Sequence, residues 1–425
     1  MTPLQIASVI LVLAAASGSI NYFFLKLPSS IGIMITALLG SIVILAVDHT
    51  HPGLQLAEQV RDLVASMEFS GSLLDGMLGL LLFAGALHVS LDDLKREALP
   101  VLLMATLGVA ISTAIVGIGF SLISGMPLLI ALVFGALISP TDPVAVLGIL
   151  QDARIRKSLE TKITGESLFN DGVGYVVFLL LVGLAFPAAS AHGETSFSVA
   201  AAVSLFLREA LGGALLGAAL GWCVFQIMRR MNDYPLEVML TLALAFGGYE
   251  LGLALGVSAP IMAVVAGLMI GNVGRRDAMS EETRNYVDGF WRLIDEILNA
   301  ALFLMIGMEI FQLSLTRDMA VTLPAAIILA LVARFISVAL PILLLRPIRQ
   351  EGRDVVPLMT WGGLKGGISV ALALSLPDNE WKASIIAVTY AVVIFSILVQ
   401  GLTLGRFARW LNRKAQERSV DDARS

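Results

Sequence analysis

Glu166, Ser167, Asn170 and Asp171 stand within one run, Gly165 to Gly174, whose apolar continuation reaches Phe186. An ionised Asp at the centre of a membrane helix costs roughly 2.5 to 3.5 kcal/mol on insertion scales, and packing alone gives no reason to bear that cost. At helical spacing Ser167 stands over Asp171 and Glu166 over Asn170, so four oxygen-bearing side chains fill two adjoining stripes. Hard cations take carboxylate, hydroxyl and carbonyl oxygens as ligands. A carboxylate buried beside a second carboxylate also holds a proton more readily than one in water. The chemistry implied is reversible binding of a small cation and of a proton at one place.

Membrane helices must position these residues. Of 425 residues, 57% are hydrophobic and 14% charged, against about one quarter charged in soluble domains. The pattern predicts an all-α polytopic membrane protein of about thirteen spans, near 4–25, 30–47, 70–90, 98–124, 127–150, 158–186, 198–228, 235–255, 258–273, 286–312, 319–345, 354–376 and 383–407. Residues 54–69, with Glu58, Arg61 and Asp62, read as an amphipathic interfacial helix. Residues 411–425 read as a short disordered tail. No basic segment precedes the run 4–25, which reads as a span and not as a cleaved leader. The single cysteine, Cys223, offers no internal disulfide and no thiolate metal cluster. No cofactor and no nucleic-acid partner are expected. Lys26, Lys95, Arg96, Arg154, Arg156, Lys157, Arg229, Arg230, Arg275, Arg276, Arg346, Arg349, Arg353 and the tail fall on one side, with Arg61, Arg317 and Lys382 opposite. The bias predicts an outside N-terminus and a cytoplasmic C-terminus.

Two spans carry breakers at membrane depth. Pro140 and Pro143 flank Thr141 and Asp142 in the fifth; Gly362, Gly363, Gly366 and Gly367 surround Lys365 in the twelfth. Proline removes a backbone donor and glycine releases helical geometry, so both spans are expected to unwind midway. Two broken helices in corresponding places of two six-span halves, here spans two to seven and eight to thirteen, point to a transporter's binding site and to two inverted-topology repeats. Asp171, Asp142, Ser167 and the carbonyls freed near Thr141 can ligate a monovalent cation. Arg334, isolated in the eleventh span, requires a buried carboxylate partner, and Glu166 is the one chosen. Lys365 can offset the negative ends of a broken helix. Asp295, Glu296, Glu309, Glu209 and Glu237 read as packing or interface residues, and Glu250 and Asp75 stay unassigned.

At these positions the chain resembles a known family. Ser139 to Pro143, Gly165 to Gly172, the helix around Arg334 and Trp361 to Gly366 look like the monovalent cation:proton antiporters, in their NhaP-like bacterial branch, over about residues 83–376. The resemblance implies a homodimer, with a core domain (about 98–228 and part of 319–407) moving against a dimer scaffold (about 1–90 and 235–312) within one unit of residues 1–410. It also implies that Asp171 carries cation and proton, that Thr141, Asp142, Glu166, Ser167 and Asn170 surround it, and that Arg334 holds Glu166. The chain departs from the family at Lys365-Gly366-Gly367, where arginine is more usual. The activity expected is exchange of Na+ or Li+ for H+ by alternating access in a bacterial inner membrane. With Asn170, not a second Asp, before Asp171, the exchange is expected to be electroneutral. K+/H+ exchange is the alternative on the same scaffold. An intramembrane hydrolase would need a base near Ser167, and a channel would need an open pore.

Overall fold

The computed structural model describes residues 3–51, 53, 55–56, 58–61, 72–142, 146, 150, 155–186, 199–312, 319–348, 351–352 and 354–422. Pro143 and most of the expected interfacial helix at 54–69 lie outside the described residues. Among the described residues every regular element is helical. In chain order these are α1 (Pro3–Ile20), α2 (Ser29–Thr50), α3 (Ser72–Leu87), α4 (Leu91–Arg96), α5 (Ala98–Ser124), α6 (Leu128–Ile138), α7 (Lys157–Ala185), α8 (Val199–Met228), α9 (Tyr234–Ala254), α10 (Ala259–Met269), α11 (Glu281–Met308), α12 (Met319–Leu345), α13 (Val355–Trp361), α14 (Gly367–Leu374), α15 (Lys382–Phe395) and α16 (Leu402–Asp422). Widened π turns interrupt α5 at Met104–Gly108 and join α15 to α16 at Ser396–Gly401.

Eight of the described helices are long and apolar enough to cross a membrane. The expected broken spans fall below that length because each is split: α6 stops at Ile138, and α13 and α14 are parted by residues 362–366. The expected tenth span, near 286–312, is α11, which begins five residues earlier, at Glu281.

Three apolar clusters hold the bundle. One joins α3, α8, α9, α10 and the first half of α11. A second joins α5, α6, α12, α14 and α15. The third fills the seam from α1, α2 and the end of α11 to α7, α12 and α13. Helix α8, grouped with the core by the sequence, packs mainly on α9 and α10. The reason is a small-residue face: a methyl group on Gly213 would strike the Ser258 carbonyl, and one on Gly217 would lie 2.5 Å from that of Met262. The expected disordered tail is also corrected, since α16 runs as one helix to Asp422. Its residues Leu411, Arg413, Lys414, Ala415, Gln416 and Glu417 are strong helix formers with no breaker among them.

The first turns of α7 are laced to both flanks by charge. Lys157 Nζ lies 2.8 Å from Asp93 and, by that hydrogen bond, holds the Asp93 carboxyl below its usual range. Arg156 Nη2 donates to both oxygens of Asp354 at 2.6 Å. Between them the buried Lys162 ammonium meets Glu97 at 3.2 Å and Glu351 at 2.7 Å. Lys162→Met removes the shared cation from two buried carboxylates, a change that costs about 3 to 5 kcal/mol when one partner of a buried pair is lost. Unfolding in detergent is expected at a clearly lower temperature, with partial recovery in Lys162→Met/Glu351→Gln; an unchanged transition would mean that water already solvates the cluster.

Candidate functional site

The two interrupted spans meet at their gaps. Beyond the end of α6, residues 139–142 leave helical geometry, and beyond the end of α13 residues 363–366 do the same. The strands of backbone so freed join: the Asp142 N–H donates to the Leu364 carbonyl at 2.8 Å. Carbonyls at the end of α6 have lost their helical donors, and Lys365 supplies one. Its Nζ donates to Ser139 O at 2.8 Å and Pro140 O at 3.2 Å, while its own N–H donates to Ser396 Oγ at 2.9 Å. Gly366 allows the closest approach at the crossing, because a Cβ there would occupy the space of the Asp142 carboxylate. Asp142 therefore lies against the start of α14, where unsatisfied N–H groups favour an anion. Gly363 faces the Arg334 guanidinium in the same way, Gly362 closes α13, and Gly367 opens α14 against Leu302 of α11.

Helix α7 passes beside this crossing. Pro140 packs on it at Gly174, where a methyl group would come within 2.6 Å of the proline ring. Asn170 fastens the unwound segment: its Nδ2 donates to Thr141 Oγ1 at 2.8 Å, and its Oδ1 accepts from the Thr141 N–H at 3.3 Å. Ser167 Oγ lies 3.0 Å from Thr141 Oγ1. One turn below, Arg334 of α12 donates through both terminal nitrogens to the two oxygens of Glu166, at 2.7 Å for Nη2 and Oε2. Its Nε donates to Met359 O at 3.2 Å. Glu166, Ser167, Asn170, Asp171, Thr141, Arg334 and Lys365 are all buried, and Asp142 is partly so.

Asp171 differs from its neighbours. Its Oδ1 is shielded from solvent and has no hydrogen-bond partner among the described residues. Among the described residues, Asp142, Lys365 and Glu166 act on it electrostatically. The donor set of Asp171 and Asp142 carboxylates with Ser167 and Thr141 hydroxyls suits a hard monovalent cation as cargo. Among the described residues no group of three His, Cys, Asp or Glu side chains gathers to hold a resident metal.

Two residues around the site were not assigned to it from the sequence, Asp295 being read as a packing or interface residue and Lys162 not named. Asp295 of α11 is held by Asn299 Nδ2 at 3.1 Å and lies within electrostatic reach of Asp142. Its signal is the spacing Asp288, Asp295, Asn299 along one side of α11. Lys162 stands four residues before Glu166 on the same stripe of α7. Glu250, left unassigned, is exposed on the outer surface of α9.

The Glu166–Arg334 contact makes a direct test. Neutralising either partner leaves the other charge buried, so Glu166→Gln and Arg334→Met should each lower thermal stability in detergent, and the double variant should lose less than the sum. Strict additivity would show that the two side chains are energetically independent.

A family model described as "Sodium/hydrogen exchanger, transmembrane" matches residues 9–410. A Na(+)/H(+) antiporter NhaP of Pseudomonas aeruginosa is 47% identical over 403 residues, covering 92% of each chain. A Na(+)/H(+) antiporter NhaH of Halobacillus dabanensis is 34% identical, covering 93% of this chain and 95% of its own. In fold, the chain resembles the sodium proton antiporter MjNhaP1 of Methanocaldococcus jannaschii with a TM-score of 0.75 at 19% identity, covering 96% of this chain and 97% of the other. A match that spans nearly the whole transmembrane chain, and relatives alike over more than nine-tenths of their length, place this protein in the sodium/hydrogen exchanger family.

Proposed function

We propose that the chain exchanges Na+ for H+ across a bacterial plasma membrane, with Asp171 carrying each ion in turn. The observation that carries this reading is the Asp171 carboxylate, buried beside the crossing of two interrupted helices with one oxygen that has no hydrogen-bond partner among the described residues. A carboxylate so placed is stable when neutralised, by a proton or by a cation, and the two compete for the same oxygens. Entry of Na+ needs the Asp171 proton to leave, and return of the proton expels Na+. Asp142, at the start of α14, serves as the second carboxylate ligand, and Ser167 and Thr141 offer hydroxyl oxygens. Na+ in place of K+ follows the relatives, which bear the name of Na(+)/H(+) antiporters; Li+, smaller and harder, is a second cargo on this reading. Transporter membership of the family leaves the intramembrane hydrolase without support.

Alternating access on this account moves α5–α7 and α12–α15 against a scaffold of α1–α3 and α8–α11, in a homodimer with its C-termini in the cytoplasm. Beside the site the two groups approach closely: a methyl group on Gly172 of α7 would lie 2.8 Å from Ile261 of α10. Small residues at such a crossing allow sliding without loss of packing.

The functional test uses Asp171→Asn, which keeps shape and removes the titrating group. In proteoliposomes, Na+-dependent proton release should vanish while the variant elutes and melts as the parent does; retained exchange would refute the assignment. Charge counting gives a further outcome. Glu166 is paired with Arg334 and Asp142 faces the start of α14, so on this reading one exchangeable charge remains and each turnover moves no net charge. An imposed potential acts at about 2.3 kcal/mol per elementary charge per 100 mV, yet the exchange rate should not respond to a valinomycin clamp. A sustained current in solid-supported-membrane recordings would show that a second proton moves.

A further inference from the structure

Helix α16 ends the last span and continues beyond it as regular helix. One exposed face of it and the preceding turn carries Val399, Leu402, Arg406, Arg409, Trp410 and Arg413, at the three- and four-residue steps that align side chains on a helix. The apolar end of this stripe, Val399 and Leu402, is exposed on the last span. Its far end is cationic and aromatic, with Lys414 Nζ 4.4 Å over the Trp410 ring. A soluble polyanion would need no such apolar continuation. A phospholipid headgroup at the membrane boundary matches both halves, since basic side chains next to a span attract anionic lipid and tryptophan settles at headgroup level.

The same helix grips the broken span. Phe407 packs between the rings of Trp410 and Trp361, with centroids 6.0 and 6.2 Å away. Trp361 is the last residue of α13, four before Lys365. Its Nε1 donates to Thr403 Oγ1 at 2.9 Å, and its carbonyl accepts from Gln400 Nε2 at 3.1 Å. Whatever seats α16 therefore bears on the residue where the helix breaks.

We propose that the Arg406–Arg409–Trp410–Arg413 face of α16 docks anionic phospholipid headgroups, and that this docking, passed through Phe407 and Trp361, steadies the unwound segment carrying Lys365. The test uses the full chain in nanodiscs. Tryptophan quenching by brominated phosphatidylglycerol is compared with that by brominated phosphatidylcholine, and the Trp410→Phe variant isolates the signal of this site. Phosphatidylglycerol should quench Trp410 severalfold more effectively at low mole fraction. The preference should fall with salt and disappear in Arg406→Gln/Arg409→Gln/Arg413→Gln, whose changes lie on an exposed face. Amide hydrogen exchange across residues 361–366 should slow severalfold with phosphatidylglycerol in the parent. It should not slow in Phe407→Ala, which keeps the docking face and removes the ring that joins it to Trp361. Equal quenching by the two lipids would overturn the docking. A preference for phosphatidylglycerol without any change in exchange at 361–366 would overturn the coupling. Neither readout depends on ion transport, so both hold apart from the proposed exchange activity.

Discussion

An anionic carboxylate shielded from water, with an oxygen that no donor among the described residues reaches, imposes the condition that the rest of the molecule meets. Asp171 is that group. Left ionised and alone it would cost several kcal/mol, and a fixed partner such as an arginine would remove the cost at the expense of function, because a permanently paired carboxylate exchanges nothing. Glu166 and Lys365 beside it are instead already engaged elsewhere. Glu166 is taken by Arg334, whose two-pronged geometry matches both oxygens. Lys365 is committed to the carbonyls of Ser139 and Pro140. On the proposed function, a mobile cation or a proton neutralises Asp171.

The interrupted helices follow from the same condition. A continuous helix hides its backbone dipoles, whereas a break delivers helix ends and free carbonyls to mid-membrane, where they can replace the water that an ion has shed. Freed carbonyls must in turn be satisfied, and Lys365 and the Asp142-to-Leu364 hydrogen bond do so across the two breaks. A lysine suffices here because it answers two carbonyls as a point charge, with no carboxylate needing a planar fork. The flanking glycines give the crossing its closeness, and the lacing of α7 through Lys157, Arg156 and Lys162 fixes the helix that bears the carboxylate.

Much of this was readable in the chain because charge is rare in it. In a membrane span each ionisable residue stands out, so Glu166, Asp171, Arg334 and Lys365 could be singled out, and proline and glycine marked both interruptions. Other features were hidden by residues whose meaning depends on a distant partner. Lys162 looks like one more basic residue at a span boundary until Glu97 and Glu351 converge on it. Asp295 looks like an interface acid until α11 is set against the crossing. The placement of α8 depends on Gly213 and Gly217 meeting the backbone at Ser258 and Met262, and no local pattern names that surface. The tail was misread because high charge suggests disorder, although its helix formers continue a helix already nucleated in the membrane.

The account stands or falls on competition at a single carboxylate, and calorimetry of ion binding measures that competition without transport. Na+ is titrated into detergent-purified protein in two buffers of different ionisation enthalpy, at a pH where the carrier is protonated, and the difference in heat counts the protons released. One proton should leave for each Na+ bound by the parent protein, and Asp171→Asn should bind with no proton release or not bind at all. Na+ binding to the parent with no proton released, or with the same release from Asp171→Asn, would contradict it.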